Sequence, residues 1–243
     1  MAESSDTKFL NEYRRAIDIF KADTNWNPTN ALLVILTMEA QLTDGETAAQ
    51  DVPVKLAPQK ININTRQEVY AKFAPFARRS RSYLKSSGAS KLEMDDAETY
   101  IRKILGTRAT PKIKDNPDTP ENEAAASNSA AQLSYDSRLG NLRGYRAFLG
   151  NMPVYNPNET DLKLTMADTI IDDAENSNKA ISAGFVPLSN SRRQRDQKLY
   201  TNQDSIYEVI RLAKEYYKSL YGAKSQEYRT IAALKFNKPS SLR

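Results

Sequence analysis

The sequence predicts an all-α fold, organised as a tandem duplication of an up-and-down four-helix module. Three observations predict it. Apolar residues recur at three- and four-residue spacing through most of the chain, as in Phe9, Tyr13, Ile17 and Phe20. Glycine is scarce, 8 of 243 residues, and half of the glycines lie in short stretches that read as turns or caps, which favours helices over tight β-turns. A joint is also written twice. Asn25-Trp26-Asn27-Pro28-Thr29-Asn30 precedes Leu36-Thr37-Met38, and Val154-Tyr155-Asn156-Pro157-Asn158-Glu159 precedes Leu164-Thr165-Met166.

The first module opens with a helix carrying Phe9, Tyr13, Ile17 and Phe20 on one face. A second helix is expected from Pro28 to about Ala49. Pro is favoured at the first helical position, where its missing N–H costs nothing, and Asn is a good cap just before it. Pro53 and Pro58 then mark a break. A third helix follows from about Thr65 to Ser87, stopped by Gly88, and Ser90 with Glu93 forms a capping box opening a fourth helix to Leu105. The second module repeats the plan. Tyr135, Leu139, Leu142, Tyr145 and Leu149 give its first helix, and Pro157 to about Ala183 its second, with a narrow buried stripe near Leu162, Met166, Ile170 and Ala174. Val186-Pro187-Leu188 is the expected break. A long helix should then run from Ser189 or Asn190 to Tyr221, ended by Gly222, and Ser225 caps the last, with Tyr228, Ile231 and Leu234 on one face. Matching positions lie 129 apart at the Asn-Pro, 130 at Tyr70 and Tyr200, and 134 at Gly88 and Gly222, the slow drift that a duplication with small insertions produces. The expected domains are therefore 1–106 and 132–243, joined by a Pro-, acid- and Ala-rich linker at 107–131 without apolar periodicity.

Composition removes several kinds of chemistry. With no Cys and no His, the chain can hold no disulfide, no thiolate nucleophile, no Ser-His-Asp set and no His-based metal site. No phosphate-binding glycine loop is present. Carboxylate, Lys and Tyr chemistry survive, but no motif organises them, so no catalytic residue, cofactor or metal is expected. No stretch approaches the about 20 apolar residues that span a bilayer, and the start shows no basic region before an apolar run, so the expected location is cytoplasmic.

Residues 187–200, with Pro187-Leu-Ser-Asn-Ser-Arg192-Arg-Gln-Arg195 leading to Leu199-Tyr200, carry a resemblance, together with Tyr155-Asn-Pro-Asn-Glu159 and Tyr221-Gly-Ala-Lys-Ser225-Gln-Glu-Tyr228 leading to Ile231 and Leu234-Lys-Phe236. Over roughly 139–238 the chain resembles a family of uncharacterised helical-repeat proteins from Bacteroidetes-type bacteria. The resemblance implies the architecture and a bacterial origin. It carries over no activity and no site residue. The first half fits the pattern only loosely, since Pro75 interrupts its third helix and its arginines are placed differently.

Basic clusters are the main candidate site. Net charge is +5, and Asn62–Ser87 holds six basic residues and one acid. Arg78, Arg79, Arg81 and Lys85 lie on the third helix, and Arg192, Arg193 and Arg195 open its counterpart. Positive charge at a helix start opposes the dipole, which suggests an acidic neighbour or an anionic partner. These seven residues form the candidate anion or partner surface, with intramolecular ion pairing as the competing explanation. The late tyrosines Tyr207, Tyr216, Tyr217, Tyr221 and Tyr228 read as core or subunit-interface packing. The acids Asp95-Asp96 and Asp172-Asp173-x-Glu175 read as solvated faces, and the two aromatic-Asn-Pro stretches as helix starts. The expected function is a non-enzymatic structural or interaction protein that scaffolds or self-assembles with protein partners. The alternative is a basic module docking on nucleic acid, a ribonucleoprotein or another polyanion.

Overall fold

The computed structural model describes residues 5–107, 134–239 and 242, and these are all-helical, with no strand among them. The helices are α1 (Ser5–Ala22), α2 (Ile35–Ala71), α3 (Phe73–Ser86), α4 (Lys91–Leu105), α5 (Tyr135–Gly150), α6 (Leu164–Asp196), α7 (Ile206–Tyr221) and α8 (Gln226–Ala232). The linker proposed for 107–131 lies, beyond Thr107, outside the described residues.

The breaks are not where proline placed them. Pro53 and Pro58 lie inside α2, and Pro187 lies inside α6. All three proline side chains are exposed. A proline inside a helix removes one hydrogen bond and clashes with the carbonyl four residues earlier, but on a solvent-facing side water satisfies the freed carbonyl and the helix bends instead of ending. The real interruptions come later. At Lys72 the chain passes directly from α2 into α3, whose first turn carries Pro75. At the end of α6 a π turn, Gln197–Thr201, and a short bend at Asn202–Ser205 precede α7.

The Asn-Pro joints are corrected in the same way. Neither Asn27 nor Asn156 caps a helix. Pro28 and Pro157 lie in a loop, and each long helix starts after a single 3-10 turn, Ala31–Leu33 and Thr160–Leu162. Asn30 caps the first of these, its side chain accepting from the Leu32 N–H at 3.0 Å. Glu159 makes no side-chain cap. The aromatic residue does the fastening. Trp26 Nε1 donates to the Leu33 carbonyl at 3.1 Å, and the Tyr155 hydroxyl donates to the Leu162 carbonyl at 2.6 Å. The capping box at Ser90 and Glu93 forms as expected, Ser225 caps α8, and Gly88 and Gly222 both take a φ of +82° after α3 and α7, a backbone region that L side chains rarely adopt.

The described chain divides into two compact units, with the boundaries inside α2 and α6. A terminal unit takes the chain up to Lys60 and from Ala183 onward: α1, the first part of α2, the end of α6, α7 and α8. A central unit, Ile61–Ser182, takes the end of α2, α3, α4, α5 and the first part of α6. Each unit therefore draws helices from both halves of the chain, and the units do not follow the sequence order 1–106 and 132–243. In the terminal core, Phe9, Tyr13, Phe20 and Met38 pack with Leu199, Tyr200, Ile210 and Tyr217. In the central core, Tyr70, Phe73, Phe76, Leu84 and Ile101 pack with Leu142, Tyr145, Leu149 and Ile170. Each such fully buried aliphatic or aromatic side chain contributes about 1.5–3 kcal/mol relative to exposure.

The pin at Tyr155 can be tested alone. Tyr155→Phe keeps the ring and removes the donor to a buried carbonyl, so the unfolding free energy in urea should fall by about 1–2 kcal/mol with an unchanged denaturant slope. An unaltered midpoint would show that the hydroxyl bond contributes nothing.

Candidate functional site

The structure separates the seven basic residues. Arg78, Arg79, Arg81 and Lys85 belong to the central unit, and Arg192, Arg193 and Arg195 to the terminal unit. On α3, the inward face is Phe73, Phe76, Ala77, Ser80 and Leu84, which leaves the basic residues outward. Arg79 pairs with Asp161 at 3.2 Å and Arg81 with Glu98 at 2.5 Å, both in exposed positions. Arg78 and Lys85, seven residues apart and so on one face, are exposed, and neither side chain has an ion-pair or hydrogen-bond partner among the described residues. Of the other basic residues in 62–87, Lys72 pairs with Asp173 at 3.2 Å, and the Arg66 guanidinium lies 3.8 Å over the Tyr135 ring.

The second cluster changes meaning. Because α6 runs unbroken to Asp196, Arg193 and Arg195 lie in its last turn instead of its first, where the helix dipole favours positive charge. Arg195 turns inward. Its side chain is 23% exposed and reaches Asp6 Oδ2 at 3.3 Å and Asp196 Oδ1 at 2.7 Å. The Tyr200 hydroxyl donates to the other oxygen of Asp6 at 2.7 Å. Burial first, and then the bond to Asp6, push the Tyr200 phenol well above its ordinary value. Arg193 reaches only the Asn190 side chain, at 3.1 Å, and Arg192 is exposed without a partner among the described residues. Arg195 therefore belongs to an internal junction that ties the first turn of α1 to the end of α6.

A similar set stands in the central unit, at positions 129 or 130 away. Asp136, Arg66 and Tyr70 take the places of Asp6, Arg195 and Tyr200. Here an added residue mediates: Asn178 Nδ2 donates to the Tyr70 hydroxyl at 2.9 Å and to Asp136 Oδ1 at 3.4 Å. Burial, and more weakly Asp136, raise the Tyr70 phenol. Other contacts recur at the same spacing. Arg14 bonds Glu46, and Arg143 bonds Glu175. The ring-to-carbonyl pins Trp26–Leu33 and Tyr155–Leu162 match in the same way. Arg66 escaped the sequence reading because it stands outside the arginine runs. Its spacing of 129 from Arg195 was the signal that could have found it.

The remaining candidates resolve into packing. Tyr217 is buried against Phe20, and the Tyr221 hydroxyl donates to Asp23 at 2.8 Å. Trp26 stacks on Phe20 with centroids 4.1 Å apart. Of the acids, Asp173 and Glu175 are engaged by Lys72 and Arg143. Arg146 grips Asp168 with two bonds of 2.7 and 2.8 Å, which hold the Asp168 carboxyl below its usual range. Among the described residues, no group of three or more carboxylates is placed to hold a metal ion, and no helix is long and apolar enough to cross a membrane.

Among the described residues, a groove of about 740 Å³ lies between α1 and the segment made by α8 and the residues after it, with Phe9, Glu12, Arg15, Ile19 and Leu234 among its lining residues. Comparison with family models, curated proteins and solved structures finds no match for the chain.

Two outcomes follow. Arg195→Gln should lower stability by about 1–3 kcal/mol, since it strips a partly buried charged bond from Asp6, whereas Arg192→Gln should stay within about 0.5 kcal/mol. Equal effects in chemical denaturation would remove the distinction between them. The second concerns alkali. Tyr13, Tyr145, Tyr155, Tyr200 and Tyr217 all have phenols raised by burial, Tyr145 to about 12. A folded value above the unfolded value, about 10, means their contribution is fully present below that pH and is lost as pH rises through the folded values. Phenolate absorbance of these residues should therefore appear in one cooperative step together with the loss of helical circular dichroism. A gradual titration with the helices intact would contradict their burial.

Proposed function

We propose that the chain is a duplicated helical module acting as a non-enzymatic structural or interaction protein, one that presents two like units to protein partners or to further copies of itself. The observation that carries this reading is the recurrence of junctions at one spacing. The ring-to-carbonyl pin and the Arg–Glu bond each occur twice, 129 positions apart, once per unit, and the Asp, Tyr and Arg positions of the third junction recur 129 or 130 apart with Asn178 mediating in the central unit. These polar groups are spent on holding helices together. A module kept twice in one chain supports two similar surfaces, which suits scaffolding. Bacterial origin accompanies this proposal, in line with the resemblance over 139–238, and so does the cytoplasmic location expected from the sequence.

A second reading, docking on nucleic acid or another polyanion, is favoured by Arg78 and Lys85, the exposed pair on α3 whose side chains have no partner among the described residues, and by Arg192. One measurement separates the two: native mass, with the ratio of nucleic-acid to protein absorbance, at low and high salt. The scaffold reading expects an assembly that persists at high salt with no nucleic acid bound. Retained nucleic acid released steeply by salt, and lost in Arg78→Glu with Lys85→Glu, would transfer the assignment to the polyanion reading.

A further inference from the structure

We infer that copies of this chain assemble by exchanging halves, so that the first half of one copy completes both units with the second half of another. The inference rests on the duplication and the self-assembly proposed above. The first half carries α1 to α4 and the second α5 to α8. Each core takes residues from both. In the terminal core, Phe9, Tyr13 and Phe20 of the first half pack with Leu199, Ile210 and Tyr217 of the second. In the central core, Tyr70, Phe76 and Ile101 of the first half pack with Leu142, Tyr145 and Leu149 of the second. A half on its own therefore leaves two core faces bare. The partner it needs is the other half, and a second copy of the chain offers the same one.

The polar junctions transfer in the same way. Tyr200 with Asp6, Gln41 with the Asp204 carbonyl, and Asn178 with Tyr70 each join one half to the other. In an exchanged pair each of these bonds forms between chains with its geometry unchanged, and only the covalent connection between halves differs. Exchange of an identical element is a low-cost route to assembly, because every copy keeps its native contacts. Concentration sets the balance. A covalent tether gives a chain's own halves an effective concentration on the order of 1 mM, so the closed single chain dominates well below that and exchange grows as it is approached.

Two glycines make the pairing directional. Gly144 of α5 lies under Tyr100 of α4, where a Cβ would sit 2.9 Å from the ring. The matching position on α1, 129 residues earlier, is Arg15, so α4 cannot settle on α1 as it settles on α5. Gly45 of α2 is enclosed by Ile206, Leu199 and Leu10, whose nearest atoms would lie 2.8, 3.0 and 3.1 Å from a Cβ there. Its counterpart on α6 is Ala174. Two first halves therefore clash at Arg15 against Tyr100, and two second halves crowd Ala174 against Ile206 and Leu199. A first half fits a second half better than it fits another first. Pairing with such a direction closes when two copies exchange reciprocally, or continues head to tail as further copies join.

The test uses two single-cysteine forms of the full chain, Gln41→Cys and Asp204→Cys, which can be linked only between chains because the native sequence has no Cys. The two are mixed at about 1 mM chain, held near the midpoint of urea unfolding, diluted into buffer and treated with a short thiol-to-thiol cross-linker. A mixed pair of twice the chain mass is expected in denaturing gels. Its yield should exceed by about tenfold or more both that of forms mixed only after folding and that of either form linked with itself. A yield no greater than in these controls overturns the inference. Native mass before the urea step separates it from the reading it rests on. A chain that assembles at high salt but gives no mixed pair overturns the exchange alone and leaves the scaffold reading standing. A chain that gives the mixed pair yet starts as a monomer supports the exchange and contradicts the scaffold reading.

Discussion

The bond between Tyr200 and Asp6 joins residues 194 positions apart, and the fold depends on the pairing it secures. Asp6 lies in the first turn of α1, and Tyr200 lies just past the end of α6. With Arg195 on the other carboxylate oxygen, the junction holds the earliest helix against the latest third of the chain. Closing so long a loop costs conformational entropy that grows only slowly with length, and a buried apolar core offsets it. Phe9, Leu10 and Tyr13 meet Leu199, Ile206 and Ile210 around that junction. The polar groups fix which helix meets which, and the apolar residues supply the magnitude.

The central unit reaches the same result with different parts. Asn178 stands between Tyr70 and Asp136, and Arg66 lies over Tyr135 instead of pairing with the carboxylate. Under the proposed duplication, this is how two copies of one junction drift. The positions persist, a neighbour inserts, and the arginine exchanges an ion pair for a cation–π contact. The exposed ion pairs elsewhere, Arg79–Asp161 and Arg81–Glu98 among them, are worth little each in water and do not determine the fold.

Helix content and the start of the last helix of each half were legible in the sequence, because periodicity and the Ser90 and Ser225 caps are local signals. The spacing of 129 was legible too. Two things were not. Proline is read as a breaker from local sterics, yet Pro53, Pro58 and Pro187 sit on exposed sides of helices held at both ends by tertiary contacts. That misplacement of the breaks also reversed the electrostatic argument for Arg193 and Arg195, which stand at a helix end and not at a start. The pairing of α1 with α6 and α7, and of α5 with the end of α2, is long-range. Alternative packings of an amphipathic helix look alike in a single sequence. Contacts such as Tyr200 with Asp6 and Arg138 with the Tyr70 carbonyl distinguish them.

Helices drawn from both halves of the chain into each unit are the centre of this account, and the absence of native cysteine makes that directly measurable. Gln41 on α2 donates to the Asp204 carbonyl before α7, at 3.2 Å. With cysteines placed at both positions, Gln41→Cys and Asp204→Cys, a short thiol-to-thiol cross-linker should close an intramolecular loop in most molecules, seen as faster migration of the denatured, unreduced chain. A chain that stays open, or that links only to other chains, would contradict the exchange of helices between its halves.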